Sequence, residues 1–526
     1  MVKLRFSALT ASIVLSVSGA CQSSPESDGG VLRAEAKSGD KARAGSGGKS
    51  GGSGNQSKPV DTGKRSVPVD AGATIAADGG MTVSSAPTPS TPAGSGGKAG
   101  SGGDARGPAA AGSGGSSATA PAPGSGSTDP SASAELFDQS SVVRFDITLP
   151  QASIDELATA PDVYTHAALR YRDTTLADVG IRIKGESSRR TLMQKAAFKI
   201  KLDEYVANQT LLGMKRITLN NMLSDDTYMA ECLAYHVWRA AMLPAPRCNH
   251  AVVYVNDTYY GVYAHVESED KAFLRRWFAN DDGNLYEDGM ADFVTGAESS
   301  FDLQTNETAN DRSDLIALIS ALDSASSATY LQDLDAVLDT AQFLRYSAME
   351  AAVNQWDGYS YTYFEANNFR IYNDPTTRKL SFIPWGHDLS MKAFAYVEAD
   401  RPAREYVPLF TRPLYENRTG ARDSGGRIFV GDRVGPRAQG GCMDSDACRN
   451  AFAEAVREVI AVYDSANLPA LAEQTYALIR PHIYEQTTRR EVSNEQFEAA
   501  YQTLLQFIAG RTAALRDDLT AAGFTP

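Results

Sequence analysis

The chain has 526 residues, of which 42% are hydrophobic and 22% charged, and its formal net charge is −14 at pH 7. The first 134 residues hold 12 Lys and Arg against 9 Asp and Glu, so residues 135–526 carry a net charge of about −17. This acidity argues against a nucleic-acid-binding protein, which would need a basic surface. About 390 residues also exceed what one hydrophobic core usually holds, so two lobes or one decorated domain are expected.

Residues 1–21 have the pattern of an export signal. A basic start is followed by an apolar stretch from Leu9 to Val17, too short to span a bilayer, and by small residues before Cys21. The Ser-Gly-Ala triplet before Cys21 suits an ordinary signal peptidase and also resembles a bacterial lipobox. We favour the lipobox, which predicts a lipoprotein of the bacterial cell envelope, outside the cytoplasm, with a lipid anchor to the membrane at Cys21.

Residues 22–134 are dominated by Gly, Ser, Ala, Pro and Thr, with near-repeats of "AGSGG". Such a segment cannot bury enough apolar surface to offset the entropy of ordering it. We therefore expect a disordered linker here and a folded domain over residues 135–526.

Strands alternate with a few helices in the first part of the folded domain. Period-two alternation predicts strands of one antiparallel sheet in "SVVRFDITL", "THAALRYRD", "VGIRIKG", "AAFKIKL" and "MKRITLNN". Helices are predicted in "PQASIDELATA", over 225–242 with Asp225 or Asp226 at its start, and in "EDKAFLRRWF". A hairpin turning near Asn256-Asp257 and a short strand, "GNLYE", complete this part.

From about residue 310 onward the pattern is mostly helical, interrupted by one hairpin with its turn at 373–379 and closed by three amphipathic helices. The order predicts an α+β fold with a β-rich N-lobe over about 135–300 and a helical C-lobe over about 301–526. A cleft between the lobes is the natural place for a ligand.

Four cysteines follow Cys21, and an even number in an exported chain suggests two disulfides. We expect the pairs Cys232–Cys248 and Cys442–Cys448. A zinc site is the alternative, although the spacings lack the usual paired Cys-x-x-Cys.

The stretch 181–205 could bind phosphate. One strand ends at Gly185, a loop with Ser187, Ser188, Arg189 and Arg190 follows, and a second strand begins at Lys195 and carries Lys199 on the same face. Backbone N–H groups and cations of such a segment neutralise phosphate oxygens. The alternative is a half-exposed strand with a solvated lysine face.

Two acids of the N-lobe could hold a phosphate-binding lysine in place. Glu231 lies on the predicted helix 225–242, and Glu267 lies where a strand meets a helix. The alternative for either is a surface acid or a helix cap.

A third group surrounds the later hairpin. A helix delivers Asp357 at its C-terminal end, Asn368 opens a strand, and Asp388 follows the return strand, so the hairpin can bring the three together. Hard oxygen ligands suit Mg²⁺ or Mn²⁺, and a second carboxylate that accepts a hydroxyl proton is the arrangement of phosphoryl transfer. The alternative is turn chemistry, since Asp and Asn favour turns. We expect His387 to be a packed neighbour of Asp388.

Taken together, these segments resemble the CotH kinase family, the atypical kinases related to spore coat protein H. The resemblance runs from about Val142 to about Phe394. It lies in "IRIKGESSRR", "QKAAFKIKLD", "ITLNNMLSDDTYMAECLAYHVWRAAMLPAPR", "VYVNDTYYGVYAHVESEDKAFLRRWF", "GNLYE", "NQWDGY", "NNFRIYND" and "FIPWGHDLS".

The resemblance implies a two-lobed, protein-kinase-like fold that uses ATP and Mg²⁺ or Mn²⁺. Lys195 would hold the ATP phosphates, with Lys199 as the alternative, and Glu267 would be its ionic partner, with Glu231 as the alternative. The remaining implied roles are catalytic base for Asp357, metal ligands for Asn368 and Asp388, and phosphate loop for Gly185, Ser187 and Arg189.

The chain departs from the family at one acid. Members often read Pro-Trp-Asp-x-Asp, whereas here Pro384-Trp385-Gly386-His387-Asp388 has one carboxylate fewer. The resemblance implies an extracytoplasmic protein kinase that transfers the γ-phosphoryl of ATP to Ser or Thr of surface or secreted proteins. The alternative is a catalytically weak or inactive surface scaffold (a pseudokinase), and a metal-dependent phosphohydrolase is a third possibility.

Overall fold

The computed structural model describes residues 131–185, 188–288, 290–361, 366–393, 409–410 and 436–526. All of these lie in the compact unit Gly112–Pro526. The predicted signal, Cys21, and the predicted linker as far as residue 130 lie outside the described residues. Within them, no helix is both long and apolar enough to cross a membrane.

A closed barrel of seven strands forms the first part of the fold. Its strands, in chain order, are β1 (Val143–Thr148), β2 (Thr165–Tyr171), β3 (Thr174–Lys184), β4 (Ala197–Lys201), β5 (Arg216–Asn220), β6 (Cys248–Val255) and β7 (Thr258–Val266). Alternate residues such as Phe145, Ile181 and Phe198 point into a hydrophobic core of the barrel. The hairpin of β6 and β7 turns at Asn256-Asp257, both with positive φ, as its sequence predicted.

The predicted single antiparallel sheet is wrong in one respect. Strand β1 pairs antiparallel with β2 but parallel with β6, in the register Val143↔Ala251 to Ile147↔Val255, and this pairing closes the barrel. Period-two patterning shows which face of a strand is buried but not which strand lies beside it, so closure was not visible in the sequence.

A second, four-stranded sheet has the order β11-β10-β8-β9. Its strands are β8 (Leu285–Glu287), β9 (Asp302–Leu303), β10 (Phe369–Asp374) and β11 (Lys379–Pro384). The hairpin of β10 and β11 is the one predicted from the sequence, and its register pairs Phe369 with Pro384. This hairpin sets the distance between Asn368, which precedes it, and the turn that follows it.

The described helices fill the space around both sheets. They are α1 (Ser131–Ala134), α2 (Gln151–Thr159), α3 (Ala230–Ala240), α4 (Lys271–Trp277), α5 (Ser313–Ser324), α6 (Tyr330–Leu334), α7 (Thr340–Ala352), α8 (Arg437–Met443), α9 (Asp446–Ser465), α10 (Leu468–Glu485) and α11 (Asn494–Ala521). A second hydrophobic cluster joins α3, the four-stranded sheet and helices α5 to α11. The chain is therefore an α+β protein with both strands and helices well represented.

Helix α3 begins five residues later than its sequence predicted. Asp225, one of the two acids predicted to start the helix, accepts a hydrogen bond from Ala230 N at 2.8 Å, but residues 225–229 form a turn in which Tyr228 has a φ of 56°. An acid that accepts a hydrogen bond from the first helical residue looks the same in the sequence whether it directly precedes the helix or lies five residues before it. The predicted start of α3 is therefore too early.

Both predicted disulfides are confirmed, and the zinc alternative is wrong because all four cysteines are paired. Cys232–Cys248 joins α3 to β6, and Cys442–Cys448 joins α8 to α9, each with a Cα–Cα distance of 5.1 Å. Disulfides of this kind fit an oxidising compartment.

Replacing both Cys232 and Cys248 with serine should lower the free energy of unfolding by about 3 kcal/mol, because the closed loop no longer restricts the unfolded chain. The matched variant of Cys442 and Cys448, whose sequence separation is 6 rather than 16, should lose less. Urea denaturation of both double variants measures the difference. An equal loss in the two would contradict the loop-entropy explanation.

Candidate functional site

Asp357, Asn368 and Asp388 come together beside the hairpin of β10 and β11. Asn368 Nδ2 donates to the backbone carbonyl and to Oδ2 of Asp357, both at 2.8 Å. Burial, and after it the charge of Asp388, raise the pKa of Asp357 to about 6. The two carboxylates therefore lie close enough to repel each other, although 31 residues separate them in the chain.

The turn that carries Asp388 is fixed to the segment before α3. Burial raises the pKa of Asp388, while the positive charges of Lys392 and Lys184 oppose this shift. Lys392 Nζ donates to the backbone carbonyl of Ser224 at 2.6 Å. The positive charges that act on this carboxylate thus come from two different segments.

Glu350, in the last turn of α7, holds the loop that presents Asp357. Its Oε1 accepts from Tyr359 N at 2.8 Å and from the Tyr346 hydroxyl at 2.9 Å, and its Oε2 accepts from Ser360 N at 2.6 Å. These bonds satisfy two buried backbone donors immediately after Asp357. The carboxylate therefore fixes the backbone on which the candidate base is mounted.

Gln355 connects the Asp357 loop to the Asp388 turn. Its Nε2 donates to the Gly386 carbonyl at 2.8 Å, and its Oε1 accepts from Ser390 Oγ at 3.0 Å. Ser390 Oγ lies 2.9 Å from His387 Nδ1, and His387 is fully buried. As expected, His387 is a packed neighbour; burial lowers its pKa to about 3.

Lys184, the last residue of β3, forms a chain of polar contacts that leads to the same acids. Its Nζ donates to Asn220 Oδ1, and Asn220 Nδ2 donates to Glu231 Oε1 at 2.8 Å. Burial lowers the pKa of Lys184, against the opposing charges of Glu231 and Asp388. Burial and the charge of Asp388 raise the pKa of Glu231 to about 8.

Lys199 lies on the neighbouring strand β4 and belongs to the same charged region. Burial lowers its pKa to about 8, and Glu287 opposes the shift. Glu287 Oε1 also pairs with Arg370 at 3.0 Å. The Trp385 ring lies under two cations, with Arg370 Cζ at 4.8 Å and Lys184 Nζ at 5.3 Å from its centroid.

Lys195 does not belong to the charged region that contains Lys184 and Lys199. It precedes β4, whereas the sequence placed it on the strand, and its side chain is only 3% exposed. Its Nζ lies over the rings of Tyr228 and Tyr263, at 4.6 and 5.0 Å from their centroids. The charges that act on it come from Glu491 and Arg490 rather than from Asp357 or Asp388.

The predicted phosphate loop is only partly described, since Ser187 lies outside the described residues. Gly185 has a φ of 104° and a backbone that approaches Ser188 closely, so a side chain there would be strained. Arg189 donates to the Gly185 carbonyl at 2.9 Å and pairs with both carboxylate oxygens of Asp162 at 2.7 Å. Its guanidinium is therefore already engaged.

Glu267 does not partner the lysines as predicted. Its carboxylate is buried and bonds to Arg276 and Arg247, the latter at 2.8 Å. These two arginines outweigh burial and lower its pKa. Glu231, the alternative partner, is the acid that the structure joins to a lysine through Asn220.

The turn has no room for a side chain at Gly386 unless the neighbouring residues move. Its φ is +60°, and a Cβ built on it would lie 2.4 Å from Asn368 Oδ1. The residue thus lets the turn before Asp388 pass directly against Asn368.

A family model described as CotH kinase protein matches residues 181–515, which is more than half of the chain. The chain belongs to the CotH kinase family.

Inner spore coat protein H of Bacillus subtilis (strain 168) is 23% identical over 210 residues, which is 38% of this chain. The match spans 56% of that relative, so just over half of its length is compared. The crystal structure of the Helicobacter pylori proinflammatory kinase CtkA aligns with 67% of this CotH family member and 92% of its own chain. The two chains are 8% identical, and the TM-score is 0.23.

The donor set of this CotH family member suits a divalent cation. Two carboxylates and an amide oxygen are the hard ligands that Mg²⁺ prefers, and a cation beside Asp388 would relieve its repulsion with Asp357. The described residues contain no group of three or more His, Cys, Asp or Glu side chains arranged as a metal site, so the amide of Asn368 would have to contribute.

Sequence reasoning missed Lys184, Asn220 and Glu287. A usable signal existed for Lys184, because β3 and β4 are adjacent in the chain and Arg182 pairs with Lys199 across them. Residues of one strand that differ by two share a face, so Lys184 lies on the face of Lys199. Asn220 and Glu287 carried no comparable signal, since their contacts arise from distant segments.

Proposed function

We propose that this CotH family member is an extracytoplasmic protein kinase that transfers the γ-phosphoryl group of ATP to Ser or Thr hydroxyls of surface or secreted proteins. The observation that carries the proposal is the convergence of Asp357, Asn368 and Asp388 with the Lys184–Asn220–Glu231 chain. The barrel and the helical part, with their separate hydrophobic cores, support a two-lobed, kinase-like arrangement.

In this proposal Asp357 orients the acceptor hydroxyl and accepts its proton. Asn368 donates to its Oδ2, and among the described residues Oδ1 has only a long contact of 3.5 Å to Asn367. Lys184 and Lys199 neutralise the nucleotide phosphates, and Glu231 holds Lys184 through Asn220. The role of phosphate ligand expected for Lys195 stays a prediction.

Asn368 and Asp388 are the residues that would hold Mg²⁺ or Mn²⁺, which when bound neutralises charge on the transferred phosphoryl group. Trp385, with Lys184 and Arg370 over its ring, is suited to border the nucleotide. The name of the spore coat relative and the two disulfides support a location at the cell surface. The lipid anchor at Cys21 is proposed from the sequence alone.

One observation favours a second candidate, a surface scaffold that binds nucleotide without turnover. Gly386 removes a carboxylate that the family often carries, and the close approach of Asn368 fills its place. A metal held by fewer charges would bind more weakly.

Labelled-phosphate transfer from ATP to a generic protein acceptor, in the presence of Mg²⁺ or Mn²⁺, tests the proposal. The parent should transfer phosphate, and Asp388→Ala should lose at least about 100-fold of the rate, because one group that stabilises developing charge is removed. Asp302→Ala, which removes an exposed acid of β9, is the matched control and should behave as the parent. Metal-dependent nucleotide binding with no transfer by the parent would favour the scaffold.

A further inference from the structure

The ammonium group of Lys195 is buried, and the described residues offer it no hydrogen-bond acceptor. The residue is 3% exposed, and its Nζ has no acceptor among the residues that the structure describes. The rings of Tyr228 and Tyr263 contact it only through their faces. An ammonium group carries three N–H donors, and burying them unpaired is costly. Burial accordingly lowers the pKa of Lys195 to about 7.

Arg490 supplies a second buried donor from the loop between α10 and α11, which contacts the loop before β4 through Glu491 and Arg190. Its Nη1 donates to Asn494 Oδ1 at 2.7 Å and to the Gln486 carbonyl at 3.3 Å, whereas its Nη2 is buried without an acceptor in the described part of the chain. The charge of Arg490 acts on both Lys195 and Tyr228. Two cations from remote segments thus share one buried region.

The carboxylate of Glu491 cannot by itself neutralise both Lys195 and Arg490. Glu491 is the acid whose charge acts on Lys195, but its Oε1 accepts from Arg190 Nε at 3.2 Å, and its side chain is 44% exposed. Arg489 adds a further cation, which donates to the Leu192 carbonyl at 3.4 Å. The described residues of the loop before β4 and of the loop between α10 and α11 thus carry more cations than acids, while Asp225 and Asp226 act on the neighbouring Tyr228.

We propose that Lys195 Nζ and Arg490 Nη2 form a binding site for a phosphate-type oxyanion at the contact between these two loops. The site does not depend on the proposed kinase function. Lys195 Nζ contacts the rings of Tyr228 and Tyr263, whereas Lys184 Nζ contacts Asn220 and the ring of Trp385.

The remaining donors favour a tetrahedral oxyanion over a carboxylate. Arginine recognises a carboxylate best with two parallel N–H groups, but Nη1 of Arg490 is already bonded, so only Nη2 is left. The ammonium of Lys195 approaches from another chain segment and can donate in several directions. A tetrahedral anion can accept one bond from each, and its higher charge matches the cation excess.

Thermal unfolding of the full chain with added inorganic phosphate, at constant ionic strength, tests this site. Phosphate at about ten times its Kd should raise the Tm of the parent by about 2 °C or more. Lys195→Met and Arg490→Met should each abolish this shift. Lys215→Met, which removes an exposed lysine paired with Asp203, should keep it. No shift in the parent, or an equal shift in Lys195→Met and Arg490→Met, overturns the proposal.

The double variant Lys184→Met/Lys199→Met locates the anion and its source. If free phosphate still stabilises it, the Lys195 site is separate from the candidate nucleotide site; loss of the shift overturns the proposal. A Lys195-dependent shift with ATP, in addition to the shift with free phosphate, would show that the site also accepts the phosphoryl group of a nucleotide. Isothermal titration of phosphate into Arg490→Lys, which keeps the charge on a partly exposed loop, should still show binding and guards against a folding defect in the methionine variants.

Discussion

Replacing Asp357 with asparagine is expected to lower the rate of phosphoryl transfer by about 10²–10⁴-fold, the contribution of a positioned general base. The amide oxygen can still accept from Asn368 Nδ2, so the loop should keep its shape. The rate should be measured with saturating ATP and metal, and Asp302→Asn is the matched control. Transfer at a rate within a few-fold of the parent would remove Asp357 from the proposed chemistry.

The rate of phosphoryl transfer by the parent should depend on pH through Asp357. Asp357 must be deprotonated to accept a proton, and burial together with the charge of Asp388 raises its pKa to about 6, so activity of the parent should rise with pH through about 6. In Asp388→Asn, whatever activity is left should have this rise at lower pH, because the neighbouring charge is gone. A rise at unchanged pH would mean that Asp388 does not influence the base.

Asp357→Asn should also stabilise the fold at neutral pH. A carboxyl whose pKa is higher in the folded than in the unfolded chain stabilises below its unfolded pKa, and this stabilisation is lost as pH rises through the folded value. The variant should therefore exceed the parent in free energy of unfolding by up to about 3 kcal/mol at pH 8, but not at pH 3. Urea denaturation at both pH values checks this difference. Such a gain would mean that the site keeps a destabilising acid for its chemistry.

Of the substitutions proposed for this protein, Glu350→Ala should lower the free energy of unfolding the most. The change leaves the backbone N–H groups of Tyr359 and Ser360 and the hydroxyl of Tyr346 without their acceptor, all of them buried. Each buried donor left unpaired costs about 1–3 kcal/mol, so the free energy of unfolding should fall by about 3–5 kcal/mol. Activity should fall as well, because these bonds fix the loop of Asp357.

Urea denaturation with Glu458→Ala as control separates this effect from a general loss of charge. Glu458 is exposed and pairs with Arg345 at 3.5 Å, so its removal should cost less than about 1 kcal/mol. Glu350→Gln, which keeps one acceptor oxygen, should fall between the two. If Glu350→Ala were as stable as the control, the loop would have to be held by other contacts.

Local patterns predicted the elements of the fold better than their arrangement. The strands of the barrel follow from period-two alternation, and both hairpins follow from turn residues such as Asn256-Asp257, because these signals act over a few residues. The parallel pairing of β1 with β6 joins residues more than a hundred positions apart, and nothing local encodes it. The start of α3 was also misplaced, since the Asp225 cap acts across a five-residue turn.

The candidate site also has a part that local sequence patterns predicted and a part that they did not. Asp357, Asn368 and Asp388 lie together because a short hairpin connects them, which the sequence made visible. The choice among lysines was not visible, because Lys184, Lys195 and Lys199 all follow the same alternating pattern around one loop. Only the burial of Lys195 between Tyr228 and Tyr263 separates it from the other two, and those rings come from other segments.

Gly386 restricts which substitutions the turn before Asp388 can accept. Any side chain at this position would collide with Asn368 Oδ1, and displacing that amide would break its bond to Asp357. Gly386→Asp is therefore expected to weaken the bond between Asn368 and Asp357 unless a second replacement makes room for the new side chain. The position before His387 and the Asn368 amide are thus not independent, and adding a second carboxylate requires a change at both.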